Sequence, residues 1–208
     1  MRSITLLLVP MIAGAITLSA QLCSTVPGAT VPDGSVSASA NFTVGNGFVT
    51  VTLSNDLVDP KSAGQLLSGL AFNLSSGLTA GTLGPTSANL RSISTGGSFT
   101  DLGPASTGWA LNTNYNGGLF LCVLCTDLGA VGPKHLLIGD RATSGKYSSA
   151  NGSIAGNKPH NPFTQGQATF LINVPGALAS DSVTGATFFF STQEGISVTG
   201  SCGSQVPE

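Results

Sequence analysis

Ala168-Thr169-Phe170-Leu171-Ile172-Asn173-Val174 is a strand written in alternating chemistry. Ala168, Phe170, Ile172 and Val174 fall on one side of an extended chain, and Thr169, Leu171 and Asn173 fall on the other. Successive side chains of a strand point to opposite faces, so a period of two sets one face in a core and one in water. The pattern recurs upstream. Val36, Ala38, Ala40 and Phe42 alternate with Ser35, Ser37, Ser39 and Asn41. Val49, Val51 and Leu53 alternate with Thr50, Thr52 and Ser54, and Leu70, Phe72 and Leu74 with Ala71, Asn73 and Ser75. Residues 119–124, 135–138, 186–192 and 196–199 add further strand candidates. Val44-Gly45-Asn46-Gly47, between two such runs, marks a hairpin, because Asn and Gly accept positive φ.

Helical signals are weak. Only residues 62–70 suit a helical turn, and the glycines there limit its length. Twenty-eight Gly and eleven Pro punctuate the chain, which suits many short strands joined by turns. The expectation is an all-β fold. It is a single β-sandwich of jelly-roll or Ig-like layering over residues 21–204, with long Gly/Ser/Asn-rich loops. Residues 144–164 form the longest stretch without strand signals. They are expected to be a structured surface excursion, since long featureless loops are uncommon in compact domains.

The N-terminus carries an address. Met1-Arg2 is a short positive start, residues 4–18 are almost entirely apolar or small, and Leu18-Ser19-Ala20 ends the run. That order is a secretory signal peptide over residues 1–20, with cleavage after Ala20. Its apolar core is shorter than the about 20 residues that span a bilayer. The body is therefore expected outside the cytoplasm.

Charge is scarce. Charged residues are 8% of the chain, against roughly 25% in ordinary globular proteins. Seven Lys and Arg in all, with a net charge of -2, supply no basic stripe for phosphates or for an anionic membrane surface. Nucleic-acid binding is excluded on that ground. With 41% hydrophobic residues the chain is no disordered segment either. Gly, Ser, Thr and Asn provide a hydroxyl- and amide-rich surface instead of salt bridges.

In an exported chain, four cysteines suggest disulfides, and four allow three connectivities. A Cys23–Cys202 bridge would tie the ends of the body together and close a very long loop, worth about 4–5 kcal/mol in the chain-entropy model. Cys122 and Cys125 form a C-x-x-C. On a continuous strand their Cα atoms would lie roughly 10 Å apart, beyond the bridging limit of about 7 Å. A bond between them therefore requires a turn, and the strand must end near Cys122. A thioredoxin-like pair lacks its βαβ surroundings, and zinc would need His135 or His160 as further ligands.

The remaining chemistry is thin. His135 reads as a strand residue. His160 and Asn161 lie in Pro159-His160-Asn161-Pro162, a rigid loop where they are candidates for ligand contact, with bonding to the loop's own backbone as the competing role of His160. Trp109, Tyr115 and Tyr147 are candidates for stacking on sugar rings, with core anchoring as the competing role of Trp109. Asn55-Asp56 with Asp59 offers oxygen ligands to calcium, but without EF-hand spacing a turn is the simpler role, and no other cofactor is implied. The Asp residues sit mostly beside Gly, Asn or Pro, as turn formers do. A glycosidase needs two carboxylates across a cleft, and the sequence points to no such pair. There is no G-x-S-x-G and no H-E-x-x-H, and residues 139–146 have the wrong spacing for a phosphate loop.

Val206-Pro207-Glu208 resembles the opening of the C-terminal sorting signal of bacterial PEP-CTERM proteins. There, Pro-Glu-Pro precedes an apolar helix and a basic tail. Residues 205–208 then read as the start of that signal, truncated after Glu208. Residues 151–157, continuing through Pro159–Phe163, also look like a segment that recurs in such proteins. The resemblance implies an exosortase substrate of a Gram-negative, biofilm-forming bacterium. Its partners would be the export and sorting machinery. It would meet the membrane only transiently or through the tail, and its body would be delivered to the surface or matrix. It implies no active site.

The functional expectation is an exported, non-catalytic structural or adhesive protein of the cell surface or extracellular matrix, in contact with exopolysaccharide or other matrix components. A secreted carbohydrate-binding module is the first alternative. A secreted hydrolase with an unrecognised site is the second.

Overall fold

A computed structural model describes residues 19–203 together with Val206 and Pro207. Residues 1–18 of the expected signal peptide, residues 204–205 and Glu208 of the expected sorting motif lie outside the described residues. The protein is nearly all β. In chain order the strands are β1 (Ser19–Thr25), β2 (Thr30–Val31), β3 (Gly34–Ser35), β4 (Ala38–Gly45), β5 (Phe48–Asn55) and β6 (Leu67–Leu74). Next come β7 (Thr82–Leu83), β8 (Ala88–Ile93), β9 (Phe99–Ala105), β10 (Ala110–Tyr115), β11 (Gly118–Cys122) and β12 (Leu137–Ile138). The last are β13 (Phe163–Gln165), β14 (Gln167–Asn173), β15 (Val183–Phe190), β16 (Ser197–Cys202) and β17 (Val206–Pro207).

The alternating stretches are the strands. Val49, Val51 and Leu53 of β5 and Ala168, Phe170 and Ile172 of β14 are buried, while their neighbours in sequence face outward. The Asn46-Gly47 turn joins β4 to β5, with Gly45 paired to Phe48. Gly47 has φ 83, a conformation that glycine enters without a Cβ clash. The helical signal at 62–70 becomes a 3₁₀ turn at Ala63–Gln65, and β6 starts two residues later.

Two expected strand ends move for a backbone reason. His135 has φ 61, outside extended geometry, so β12 starts at Leu137 rather than at His135. Ser191 has φ 80, and β15 ends at Phe190.

Fifteen strands share one mixed sheet in the order β7-β14-β5-β4-β1-β16-β15-β6-β12-β13-β8-β9. β11 also pairs with β6 and carries β10, and β17 pairs with β1. β12 and β13 run parallel, and the other pairings are antiparallel. The sheet curls on itself. Gly166 sits between β13, which pairs with β8, and β14, which pairs with β5. A bridge from Ser87 to Thr169 then brings the β8 end back to β14.

The concave faces meet over a continuous core. Phe42 of β4 packs on Phe72 of β6 with ring centroids 5.1 Å apart, although three strands separate them along the sheet. Buried polar side chains fasten the curl. Asn55 Nδ2 donates to the carbonyls of Gln65 and Leu137. Gln21 brackets Val183 with a donated bond of 2.9 Å and an accepted one of 2.8 Å. Each bond satisfies a group that would be costly to bury alone.

The 144–164 excursion is ordered by its own bonds. Asn151 Oδ1 accepts from the Ser153 N–H and hydroxyl. The Ser153 hydroxyl oxygen in turn accepts from Ala63 N–H. Ile154 is fully buried beneath the loop.

Candidate functional site

The four cysteines are joined as Cys23–Cys202 and Cys122–Cys125. Cys23 and Cys202 are direct cross-strand partners of β1 and β16, with Cα atoms 3.9 Å apart. β11 ends at Cys122, and the following turn brings the Cα of Cys125 to 5.7 Å. Residues 126–128 continue as a 3₁₀ turn rather than a redox-protein helix.

The four ligand-contact candidates other than Tyr115 bond or pack within the fold. Trp109 is 6% exposed. Its ring lies 5.3 Å from that of Phe170, and its indole N–H donates to the His135 carbonyl. His135 faces that same cluster, with Nδ1 2.9 Å from the Thr107 carbonyl. Tyr147 is 1% exposed, and its hydroxyl donates to the Gly139 carbonyl. His160 Nδ1 bonds the Ser153 carbonyl, and Asn161 accepts from Ile93 N–H while donating to the Asn157 carbonyl. These groups hold the excursion against β8. Burial of Trp109 is the core anchoring that the sequence also offered, and burial of Tyr147 keeps its ring from stacking at the surface.

Tyr147 belongs to a buried ionic cluster that sequence reading missed. Arg91 on β8 is 1% exposed. Its guanidinium forks onto both carboxylate oxygens of Asp101, at 2.6 and 3.1 Å, and donates to the Tyr147 hydroxyl. It also lies over the Phe99 ring, 3.9 Å from the centroid. Burial pulls the Arg91 pKa down, but its bonds to Asp101 and Tyr147 outweigh that and leave it raised. The Arg91 hydrogen bond holds the Asp101 carboxyl below the usual range, and burial pushes the Tyr147 phenol up. The cross-strand β8–β9 pairing of Arg91 with Asp101 creates the cluster, and no local spacing announces it.

Two concavities stand out among the described residues. One is an open cleft of about 710 Å³ with a polar lining that includes Asn55, Asp56, Asn89, Asp140, Gln165 and Gln167. It gathers Asn55 and Asp56 of the calcium candidate but not Asp59, and Asn55 and Asp59 have other partners. Asn55 Oδ1 accepts from Leu57 N–H, and Asp59 accepts from the Ser148 N–H and hydroxyl. Among the described residues no group of three His, Cys, Asp or Glu stands together as a metal site.

The second concavity, of about 220 Å³, is built on the outward face of β10, β11, β6 and β15. Leu119 and Leu121 of β11 point into the core, so Phe120 points out. Phe188 and Phe190 do the same for Phe189 on β15. Tyr115 reaches this face through a register shift between Thr113 and Tyr115, where Asn114 takes φ 58. An extra residue in one strand re-aims the side chain that follows.

The rings touch. Centroids lie 4.5 Å apart for Tyr115–Phe120, 4.7 Å for Phe120–Phe189 and 6.1 Å for Tyr115–Phe189. Phe120 and Phe189 flank β6 and meet because Gly69 lies between them. A Cβ on Gly69 would stand 2.6 Å from Phe120 Cε2. The Cys122–Cys125 turn forms one wall of the concavity, and the loop carrying Gln193 and Glu194 forms another. Of this group only Tyr115 was legible in the sequence.

No family model, curated protein or solved structure matches the chain.

Proposed function

We propose that this protein is an exported structural or adhesive component of a Gram-negative cell surface or extracellular matrix, acting without catalysis. The observation that carries this reading is the Cys23–Cys202 bridge across β1 and β16, 179 residues apart in sequence. Together with Cys122–Cys125 it leaves no free cysteine, and paired cysteines of this kind persist in oxidising compartments. The leader supports the same compartment, and cleavage after Ala20 keeps Gln21 and Cys23 in the body. The likeness of Val206-Pro207-Glu208 to an exosortase sorting signal supports surface delivery. Packing of Phe42 on Phe72 supports reading the curled sheet as a sandwich-like layering.

One further reading rests on a particular observation. Asp56 and Asp140 both line the 710 Å³ cleft, and a secreted glycoside hydrolase needs two carboxylates across a cleft. Fractionation of a Gram-negative host expressing the full chain tests the export claim. The protein is expected in the periplasm, envelope or medium, and in the cytoplasm when residues 1–20 are deleted. Equal cytoplasmic recovery of both forms would refute it. Release of reducing sugar from a polysaccharide, abolished by Asp140→Asn, would replace it with the hydrolase reading.

A further inference from the structure

We infer that the aromatic cup of Tyr115, Phe120 and Phe189 is a binding site for one unit of a neutral hexose polysaccharide. The inference deepens the adhesive reading, since it names what the surface would hold.

A pyranose presents a face of C–H groups and a rim of hydroxyls. It needs aromatic rings beneath the face and polar groups around the rim. The cup supplies both. Three partly exposed rings form its floor, and Asn112, Gln193 and Glu194 stand at its edge. Pockets of this composition bind through apolar area and take their specificity from a few polar groups. A cavity of about 220 Å³ is smaller than the roughly 300–1,000 Å³ that encloses a drug-sized ligand. It suits one unit of a chain whose remainder runs along the surface.

Charge narrows the class. The lining contains Asp127 and Glu194 but no Lys or Arg, so phosphate and uronate polymers meet repulsion without a cationic partner. The rings pack 4.5 and 4.7 Å apart on each other, so no ligand is caged between them; an organic cation would have to sit over a ring face, and the cationic probe below distinguishes it from a neutral sugar.

The construction is specific to the cup. A glycine within a strand sacrifices side-chain packing and marks a close approach, and Gly69 is where Phe120 crosses towards Phe189. The bulge at Asn114 delivers Tyr115 to the same face. The Cys122–Cys125 bond fixes a wall.

Isothermal titration of the oxidised full chain with cellohexaose, mannohexaose and laminarihexaose tests the proposal, with polygalacturonate and chitosan hexamer as charged probes. Binding of at least one neutral probe is expected, unchanged between 0.05 and about 0.5 M salt, since no ion pair forms. Tyr115→Ala and Phe189→Ala are expected to weaken it about tenfold, on the scale of one aromatic contact. Glu194→Gln, on an exposed loop, is expected to weaken it several-fold with an unchanged unfolding midpoint. This variant decides the matter if an aromatic variant fails to fold. No binding of any neutral probe, binding of a charged probe alone, or equal binding by Glu194→Gln and the folded aromatic variants would overturn the proposal. Export and thiol oxidation are read separately, so loss of sugar binding from an exported, oxidised protein defeats this inference alone.

Discussion

At the scale of single residues, the Arg91 cluster separates two ways of losing one ion pair. Asp101 is half in water, with its side chain 48% exposed, whereas Arg91 is 1% exposed. Removing Asp101 strands a buried guanidinium. Removing Arg91 merely returns a carboxylate to solvent. Asp101→Ala is therefore expected to cost about 2–3 kcal/mol, less than a fully buried pair because solvent already screens Asp101. Arg91→Met, which keeps apolar volume, is expected to cost less than Asp101→Ala. Urea denaturation of both variants checks the order, and the reverse order contradicts it.

The same pair sets an acid limb. The folded pKa of Asp101 is lowered from 3.8 by the Arg91 hydrogen bond. Its contribution is thus fully present above about 3.8 and is lost as pH falls through the lowered value. Tyr147 works in the opposite direction. Burial raises its pKa from 10.0, so its contribution holds below that value and is lost as pH rises through the raised one. Urea midpoints across pH are expected to show a shallower acid limb in Asp101→Asn and a shallower alkaline limb in Tyr147→Phe. Unchanged limbs count against these assignments. None of this was readable beforehand, because Arg91 and Asp101 meet only when β8 pairs with β9, and the Pro and Gly of Phe99–Ala105 hid that strand.

At the scale of elements, alternation was legible wherever one strand face is buried and the other solvated. That covers β4, β5, β14 and the Leu70–Leu74 half of β6, where the period of two selects the buried residues, whereas Leu67 to Leu70 are buried in succession. It failed in β10, where a register shift between Thr113 and Tyr115 turns an apparent alternation, and in β1, whose first two residues were expected to end a leader. The cup lies beyond any linear pattern. Phe120 and Phe189 are outward residues on strands 69 positions apart in sequence, and Gly69 looks in sequence like a defect of β6.

Gly69→Ala tests that reading, since the new Cβ meets Phe120 and stands 3.0 Å from the Leu121 carbonyl oxygen. A destabilisation of about 1–3 kcal/mol is expected, as for other overpacked sites. Loss of stability should come with altered near-ultraviolet circular dichroism from the displaced rings. A neutral Gly69→Ala with an unchanged spectrum would mean that the glycine does not make room for the ring contact.

At the scale of the whole molecule, sequence reading reached the all-β class and the turn demanded by a Cys122–Cys125 bond. It did not reach the order of the strands, because register and adjacency depend on contacts far apart in the chain. The two disulfides divide the molecule unequally. Cys23–Cys202 closes nearly the entire body, and Cys122–Cys125 closes a single turn. The chain-entropy model assigns about 5 kcal/mol to the long loop and about 2 kcal/mol to the short one. Unfolding of Cys23→Ser/Cys202→Ser is therefore expected at much lower urea than that of Cys122→Ser/Cys125→Ser. Equal midpoints would show that the long bridge joins ends already held by β1–β16 pairing in the unfolded ensemble.

The central claim is that an exported body is closed by two disulfides. Intact mass spectrometry of the protein recovered from its native compartment tests it most directly, comparing alkylated samples with and without reduction. The account predicts an N-terminus at Gln21 and no alkylation until reductant exposes four thiols. A leader still attached and four thiols alkylated without reductant would contradict it.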